Sequence, residues 1–293
     1  IHYFDGAEAY SEGRSETQLG EAVKKLSPEM RQKIVIGSKI LPAGATTVED
    51  TIKHCDDSLA RLGMTCIDLY MIHWPVMVEG KPDTAATFKA LKELQSAGKI
   101  KHIGVSNFGP VQLTEALTHG VKIAVNQLAY SLCTRAIEFE IIPMCKANDI
   151  QVICYSPLMQ GLLTGRWTKT SEISEYRCRT RHFNSKSSPK SRHGEEGHED
   201  LLWKAIGDCK KICDDAGLAL ADVANAWPLH QEGITCVIIG ATKEEQVKSN
   251  AAAMNLKLEP SMVEALNAAT EELKQAMGSH ADIYESVAGQ RVM

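Results

Sequence analysis

The chain has 293 residues, enough to bury one large core, and 44% of them are apolar. A formal net charge of −5 and a pI near 6.1 give no global attraction to nucleic acid or to an anionic membrane. No run of about 18 apolar residues is present to form a transmembrane helix, so neither partner is expected.

The nine cysteines are scattered, and Cys66, Cys154 and Cys236 sit inside apolar runs. That pattern suits a reducing compartment better than a disulfide framework, so a cytoplasmic location is expected. The chain opens on Ile-His-Tyr-Phe-Asp, inside an apolar segment and without a charged n-region. The expectation is that no signal peptide is present and that the sequence is cut from a longer protein.

Short β-branched runs recur, each followed by a polar turn and a segment of helical period. Candidate strands in chain order are 2–5, 34–39, 67–72, 101–105, 123–128, 151–155 and 235–239. They read as buried parallel strands, short apolar runs too brief for helices. Candidate helices lie near 15–26, 47–62, 84–97, 110–119, 137–148, 200–216 and 243–253, with a last one at 260–277 that has no strand behind it. Pro110 fits a first helical position and Gly98 a helix stop.

Regular alternation of this kind predicts a parallel α/β architecture. No Gly-x-Gly-x-x-Gly follows any strand, which argues against an open dinucleotide-binding sheet and for a (β/α)8 TIM-type barrel. Seven strand-helix units are visible, so the expectation is a single barrel domain over 1–293 whose first strand and helix are missing from the sequence. Within it, 165–199 is a long polar loop or lid, and 256–293 is a C-terminal helix and tail.

The strand ends carry an unusual set of groups. Asp5 closes the first strand, Lys39 the second, and His73 follows the third; Ser106 and Asn107 follow the fourth. Gln127 lies near the end of the fifth, Tyr155 closes the sixth, Gly240 follows the last, and Tyr10 lies in the first loop. In a closed parallel barrel such residues meet at the carboxyl face, where barrel enzymes keep their active sites. Taken singly, Asp5 reads as a helix-approach cap, Lys39 as a solvated strand end and His73 as a satisfied histidine before Pro75. Arrival of all of them at successive strand ends is harder to explain that way.

These residues stand in recognisable motifs. Phe4-Asp5-Gly6-Ala7-Glu8-Ala9-Tyr10, with Gly13-Arg14-Ser15-Glu16-Thr17-Gln18-Leu19-Gly20 behind it, resembles the opening motif of the aldo-keto reductase family. Ile72-His73-Trp74-Pro75, Gly104-Val105-Ser106-Asn107-Phe108 and Tyr155-Ser156-Pro157-Leu158 resemble its later motifs. Gly161-Leu162-Leu163-Thr164-Gly165-Arg166 and Gly240-Ala241-Thr242-Lys243 are closer to a long-loop branch that includes potassium-channel β subunits and sugar or aryl-aldehyde reductases.

The resemblance implies a catalytic tetrad of Asp5, Tyr10, Lys39 and His73. Reduction of a carbonyl by hydride creates an alkoxide, so a proton donor has to meet the oxygen as charge develops. Tyr10 is implied as that acid, Lys39 as the cation that favours its phenolate, Asp5 as the holder of the ammonium and His73 as the group that orients the carbonyl. Ser106, Asn107 and Gln127 are implied as nicotinamide contacts and Tyr155 as a ring stacked on it. Ser156, Leu158, Gly161 and Arg166 are implied at the pyrophosphate, and Gly240, Thr242, Gln246 and Asn250 at the adenosine. Lys243, taken as part of the first turn of the helix there, favours NADPH over NADH.

Two departures stand out: Gly6 replaces the usual threonine beside Asp5, and Ser249 replaces the usual glutamate before Asn250. The expected function is NADPH-dependent reduction of an aldehyde or ketone, with a small-molecule carbonyl as partner. The alternatives are a cofactor-sensing subunit that regulates a protein partner, and an inactive truncated isoform. A metal site from Cys209, Cys213, His193 and His198 is not expected, because packing of the cysteines and a solvated loop for the histidines explain them. Hydrolase and P-loop motifs are absent.

Overall fold

The structure is a computed structural model that describes residues 1–42, 47–78 and 81–293. Its residues fall into two compact units, Ile1–Gln127 and Leu128–Met293.

The first unit contains β1 (Tyr3–Asp5), α1 (Arg14–Val23), α2 (Pro28–Arg31), β2 (Val35–Ile40), α3 (Val48–Leu62) and β3 (Ile67–Ile72). A short antiparallel pair follows, β4 (Met77–Val78) with β5 (Lys81–Pro82), which the sequence did not announce. Then come α4 (Ala85–Ser96), β6 (Ile100–Ser106), α5 (Pro110–Thr118) and β7 (Ile123–Ala129), the last of which carries the chain into the second unit. In the first unit β1, β2, β3, β6 and β7 lie side by side in that order, every pair parallel. All six residues of β3 are buried, as a strand covered on both faces requires.

Local chemistry explains the helices around these strands. In α3 the buried positions Thr51, Cys55, Ser58, Leu59 and Leu62 recur every three or four residues, which makes one inward stripe. Thr47 caps its start by accepting from the Asp50 N–H at 3.0 Å, and Gly63 ends it in the left-handed region at φ 62°. Pro110 occupies the first turn of α5, where the Gly109 N–H is taken up by Gln112 Oε1 at 2.9 Å.

The second unit contains α6 (Ile141–Ala147), β8 (Gln151–Tyr155), α7 (Glu199–Asp215), α8 (Leu220–Ala226), β9 (Ile234–Ile238), α9 (Glu244–Ala253), α10 (Pro260–Ala269) and α11 (Glu271–Met277), with β8 and β9 parallel. The single helix expected at 260–277 is divided. Thr270 turns its hydroxyl back onto the Leu266 carbonyl at 3.0 Å, a local bond that competes with the helical ladder. The expected helix at 137–148 is a 3-10 turn at Ala136–Glu138 followed by the shorter α6.

Between β8 and α7 the chain runs through short 3-10 turns, and its middle is not solvated. Cys178, Thr180, Arg181, His182, Phe183, Ser188 and His193 are all buried. The Arg181 guanidinium binds Glu195 at 2.9 Å and donates to the His280 carbonyl at 3.2 Å, while its N–H reaches the Ile283 carbonyl at 2.8 Å. These bonds fasten the segment to the C-terminal tail. The expectation of a solvated His193 is therefore corrected: it is 3% exposed and its Nδ1 accepts from the Glu195 N–H. Cys209 and Cys213 lie on the buried stripe of α7, as the packing explanation requires. No group of three metal-ligating side chains is found among the described residues.

His182 is completely buried; its Nε2 donates to the Cys133 carbonyl at 2.8 Å and its Nδ1 accepts from the Thr180 hydroxyl at 3.2 Å. Burial, helped by the Arg181 charge, pushes its imidazole down to about 4. The ring is neutral in the fold and takes up a proton more readily when the chain unfolds, near the ordinary value of about 6.5. Its contribution is complete above that value and is lost as pH falls toward about 4, on the order of 3 kcal/mol for this residue. His280, depressed by burial in the same way, adds to the trend. The denaturant midpoint is expected to drop between pH 7 and 5, and a His182→Gln variant to show a smaller drop. Equal pH slopes for the two proteins would exclude His182 as a source of acid lability.

Candidate active site

Asp5, Lys39, Ser106 and Gln127 stand at or near the carboxyl ends of β1, β2, β6 and β7, and His73 follows the end of β3. Parallel register places these ends side by side: Asp5 is opposite Gly37, Lys39 opposite Met71 and Ser106 opposite Gln127. The structure brings the four tetrad residues together.

Lys39 has no exposed side-chain surface, so its ammonium depends on local partners. It has three. Nζ donates to Asp5 Oδ2 at 2.6 Å, to the Gly6 carbonyl at 2.8 Å and to the Tyr10 hydroxyl at 3.4 Å. Burial pushes the lysine below its ordinary value, while Asp5 and then Glu16 oppose that shift. Gly6 is held rather than loose: its N–H donates to the Gly37 carbonyl at 2.9 Å, and its own carbonyl is bound to Lys39. A Cβ at this position would lie 3.3 Å from the Gly37 oxygen, a tight approach that glycine avoids.

The Tyr10 ring is 38% exposed, but its hydroxyl turns inward to Lys39. Here the electrostatics differ from the sequence expectation. Burial and the neighbouring Asp5 charge raise the phenol above its ordinary value, so it is protonated at neutral pH. The physical reason is that the Lys39 charge is largely spent on Asp5, 2.6 Å away against 3.4 Å to the phenol. Tyr10 thus keeps its proton at rest.

His73 packs edge-on against Tyr10, ring centres 5.5 Å apart. Its backbone N–H donates to the Ile40 carbonyl at 2.9 Å, and its carbonyl accepts from Asn107 Nδ2 at 3.0 Å. Burial first, then the Lys39 charge, push the imidazole down to about 4, so it is neutral at pH 7. Its Nδ1 is buried with no hydrogen-bond partner.

The residues expected at the nicotinamide form one connected group. The Ser106 hydroxyl donates to the Gln127 carbonyl at 3.0 Å and accepts from Asn107 Nδ2 at 3.1 Å. The Asn107 N–H also reaches the Gln127 carbonyl, at 2.9 Å. Gln127 Nε2 donates to Asp5 Oδ1 at 3.0 Å, which ties this group to the tetrad.

In the second unit Tyr155 closes β8 and its carbonyl accepts from the Tyr130 N–H at 3.2 Å. Leu158 precedes a 3-10 stretch, Met159–Thr164, that contains Gly161. Arg166 Nε donates to the Thr164 hydroxyl at 3.1 Å, and its guanidinium lies 4.8 Å from the Trp167 ring centre. Beyond β9, Gln246 Oε1 accepts from the Thr242 N–H at 2.8 Å, and Asn250 Nδ2 reaches the Gly240 carbonyl at 3.4 Å. Lys243 is the residue before α9, not part of its first turn as expected; that turn carries Glu244 and Glu245. Its backbone is extended, at φ −140° and ψ 150°, so the helix starts one residue later.

One signal was invisible in the sequence. Among the described residues seven non-glycine positions have positive φ: Ser11, Glu12, Asn107, Asp149, Ser156, Met159 and Gln160. All but Asp149 lie in the loops behind Tyr10, Ser106 and Tyr155. Left-handed backbone at non-glycine positions is costly and gathers where function requires it.

A model of the aldo/keto reductase family matches residues 1–271. The chain is 32% identical over 275 residues to an NADH-specific methylglyoxal reductase of Escherichia coli (strain K12), covering 88% of this chain and 80% of the relative. It is 29% identical to a probable voltage-gated potassium channel subunit beta of Arabidopsis thaliana, covering 87% of this chain and 78% of the other. Among solved structures, a thermostable aldo-keto reductase bound to the inhibitor epalrestat superposes with a TM-score of 0.70 at 25% identity, covering 90% of this chain and 81% of that one. An aldo-keto reductase from Klebsiella pneumoniae in complex with NADPH gives a TM-score of 0.67 at 25% identity, covering 92% and 79%. The fold class is the TIM-type (β/α) barrel, and the chemistry is that of an NAD(P)H-dependent carbonyl oxidoreductase. On the match of the family model and the 32% identity to a relative covered over 80% of its length, the chain belongs to the aldo-keto reductase family.

Proposed function

We propose that the chain reduces a small aldehyde or ketone to an alcohol, with NADPH as the hydride source and Tyr10 as the proton donor. The observation that carries this reading is the Tyr10 hydroxyl, 3.4 Å from a buried ammonium that Asp5 holds at 2.6 Å. The nicotinamide supplies hydride when bound. Tyr10 gives its proton to the carbonyl oxygen as negative charge develops, and Lys39 stabilises the phenolate left behind. Neutral His73 donates one hydrogen bond to the same oxygen and fixes its position. Asp5 keeps Lys39 charged in a buried setting.

The residues present suit a dinucleotide. Ser106, Asn107 and Gln127 offer the hydroxyl and amide groups that complement a carboxamide, and Tyr155 offers a flat ring. Left-handed backbone at Ser156, Met159, Gln160 and Gly161 gives the loop after β8 its tight course, and the pyrophosphate is assigned to this loop, near Leu158 and Arg166. Gly240, Thr242, Lys243, Gln246 and Asn250 take the adenosine. Glu244 and Glu245 in the first turn of α9 oppose a further phosphate there, so NADH is the second reading of the cofactor. Seven of the nine cysteines are buried as small apolar side chains, which fits a cytoplasmic protein. Among the described residues no helix is long and apolar enough to cross a membrane.

Steady-state assays with a panel of aldehydes, dicarbonyls and ketones test the proposal. Multiple turnovers are expected, with kcat/KM higher for NADPH than for NADH. The reverse ratio selects NADH. At most a single turnover per chain on every carbonyl would favour a redox-sensing regulatory subunit instead. Specificity is assigned to residues 76–82, 129–135 and the C-terminal tail, of which 79 and 80 lie outside the described residues.

A further inference from the structure

Asp5 accepts more than the lysine it is assigned to hold. Its Oδ2 is taken by Lys39 at 2.6 Å; its Oδ1 accepts from Gln127 Nε2 at 3.0 Å and from the Tyr3 hydroxyl at 2.8 Å. Tyr3 lies two residues before Asp5 on β1, so the two side chains share one face of the strand. The tyrosine ring crosses to the neighbouring strand over Gly37, the residue paired with Asp5. A Cβ on Gly37 would lie 2.2 Å from the Tyr3 oxygen and 2.8 Å from its ring carbon, so only glycine leaves room for this placement. The hydroxyl-to-carboxylate bond is thus built from two positions on two strands.

We propose that Tyr3 is a positioning residue for the reduction: its hydroxyl, together with the Gln127 amide, fixes the Asp5 carboxylate and moderates its hold on Lys39. The inference rests on the proposed reductase reading. Asp5 pulls the ammonium away from Tyr10, and the proton that Tyr3 shares with Oδ1 disperses part of that carboxylate charge. Without it, Lys39 is bound more tightly to Asp5 and serves the departing phenolate less well. Gln127 alone does not replace the bond, because its Nε2 already donates to Oδ1, at 3.0 Å, alongside the Tyr3 hydroxyl at 2.8 Å.

The test uses the full chain and a Tyr3→Phe variant, which keeps the ring over Gly37 and removes the hydroxyl. Expected are an unchanged thermal melt, an unchanged KM for the cofactor and a kcat lowered roughly 3- to 10-fold, the size of one hydrogen bond. The titration midpoint of Lys39, followed by NMR of lysine labelled at Cε and assigned with a Lys39→Met variant, is expected to rise by about half a unit to a unit. A fall in kcat with a fixed Lys39 midpoint marks a merely structural role and overturns the inference, as do an unchanged kcat and midpoint together. If the parent chain reduces no carbonyl, the reductase reading fails, and the midpoint decides alone: a rise upholds the Tyr3 contact as a control on Lys39, and no rise overturns it.

Discussion

Replacing Tyr10 by phenylalanine is expected to lower turnover of any carbonyl substrate by roughly 10³-fold or more, while cofactor binding followed by fluorescence titration stays the same. The phenol is the only group of the tetrad that is both protonated and able to deliver that proton at neutral pH. Lys39 is buried and bound to Asp5, and His73, depressed to about 4, carries a proton only as a neutral hydrogen-bond donor. The ring is 38% exposed and stays in place in the variant, so stability changes by less than about 1 kcal/mol. Turnover within a factor of a few of the parent would remove Tyr10 from the mechanism. The raised phenol also sets a pH expectation. Reduction does not lose its proton donor as pH climbs through the ordinary tyrosine range near 10, because burial and Asp5 hold the proton on the oxygen.

The second large effect is at Lys39. A Lys39→Met change leaves Asp5 mostly buried without its cation, and breaking such a pair from one side costs roughly 3–5 kcal/mol. Turnover is expected to fall at least 10²-fold, because nothing then stabilises the phenolate. Charge logic separates the two losses. In a Lys39→Met, Asp5→Asn double variant the uncompensated carboxylate is gone, so the melting temperature recovers much of the drop while turnover stays low. A double variant that melts no higher than Lys39→Met alone would mean that packing of the long lysine stem, and not the ion pair, holds this region together. Removing the ammonium also removes one of the two causes that depress His73, so its titration midpoint is expected to rise in the single variant.

Much of this was legible in the sequence, for reasons that individual residues make clear. Strands such as Ile67–Ile72 are apolar at every position but Asp68 because both faces are covered, and helices such as Val48–Leu62 carry a regular inward stripe between a threonine cap and a glycine stop. Both are local signals. The order of the strand ends then places Asp5, Lys39, His73, Ser106 and Gln127 side by side, and Tyr10 follows from its short tether to Asp5.

What depended on distances was not legible. The division of the expected helix at Thr270 turns on one hydroxyl finding a carbonyl, and the burial of His182 and His193 in a polar, irregular stretch turns on Arg181 reaching the C-terminal tail. The ionisation state of Tyr10 is the clearest case. Residue types alone put a lysine near a tyrosine and suggested a lowered phenol; the outcome depends on whether the ammonium sits closer to the phenol or to a carboxylate, and on how little water reaches them. The sequence by itself determined which groups arrive at the strand mouths, because the periodicity of strands and helices is written in neighbouring residues. Tertiary structure decided what those groups are charged as and whom they bind, because electrostatic energy varies with separation and burial, neither of which a linear order of residues contains.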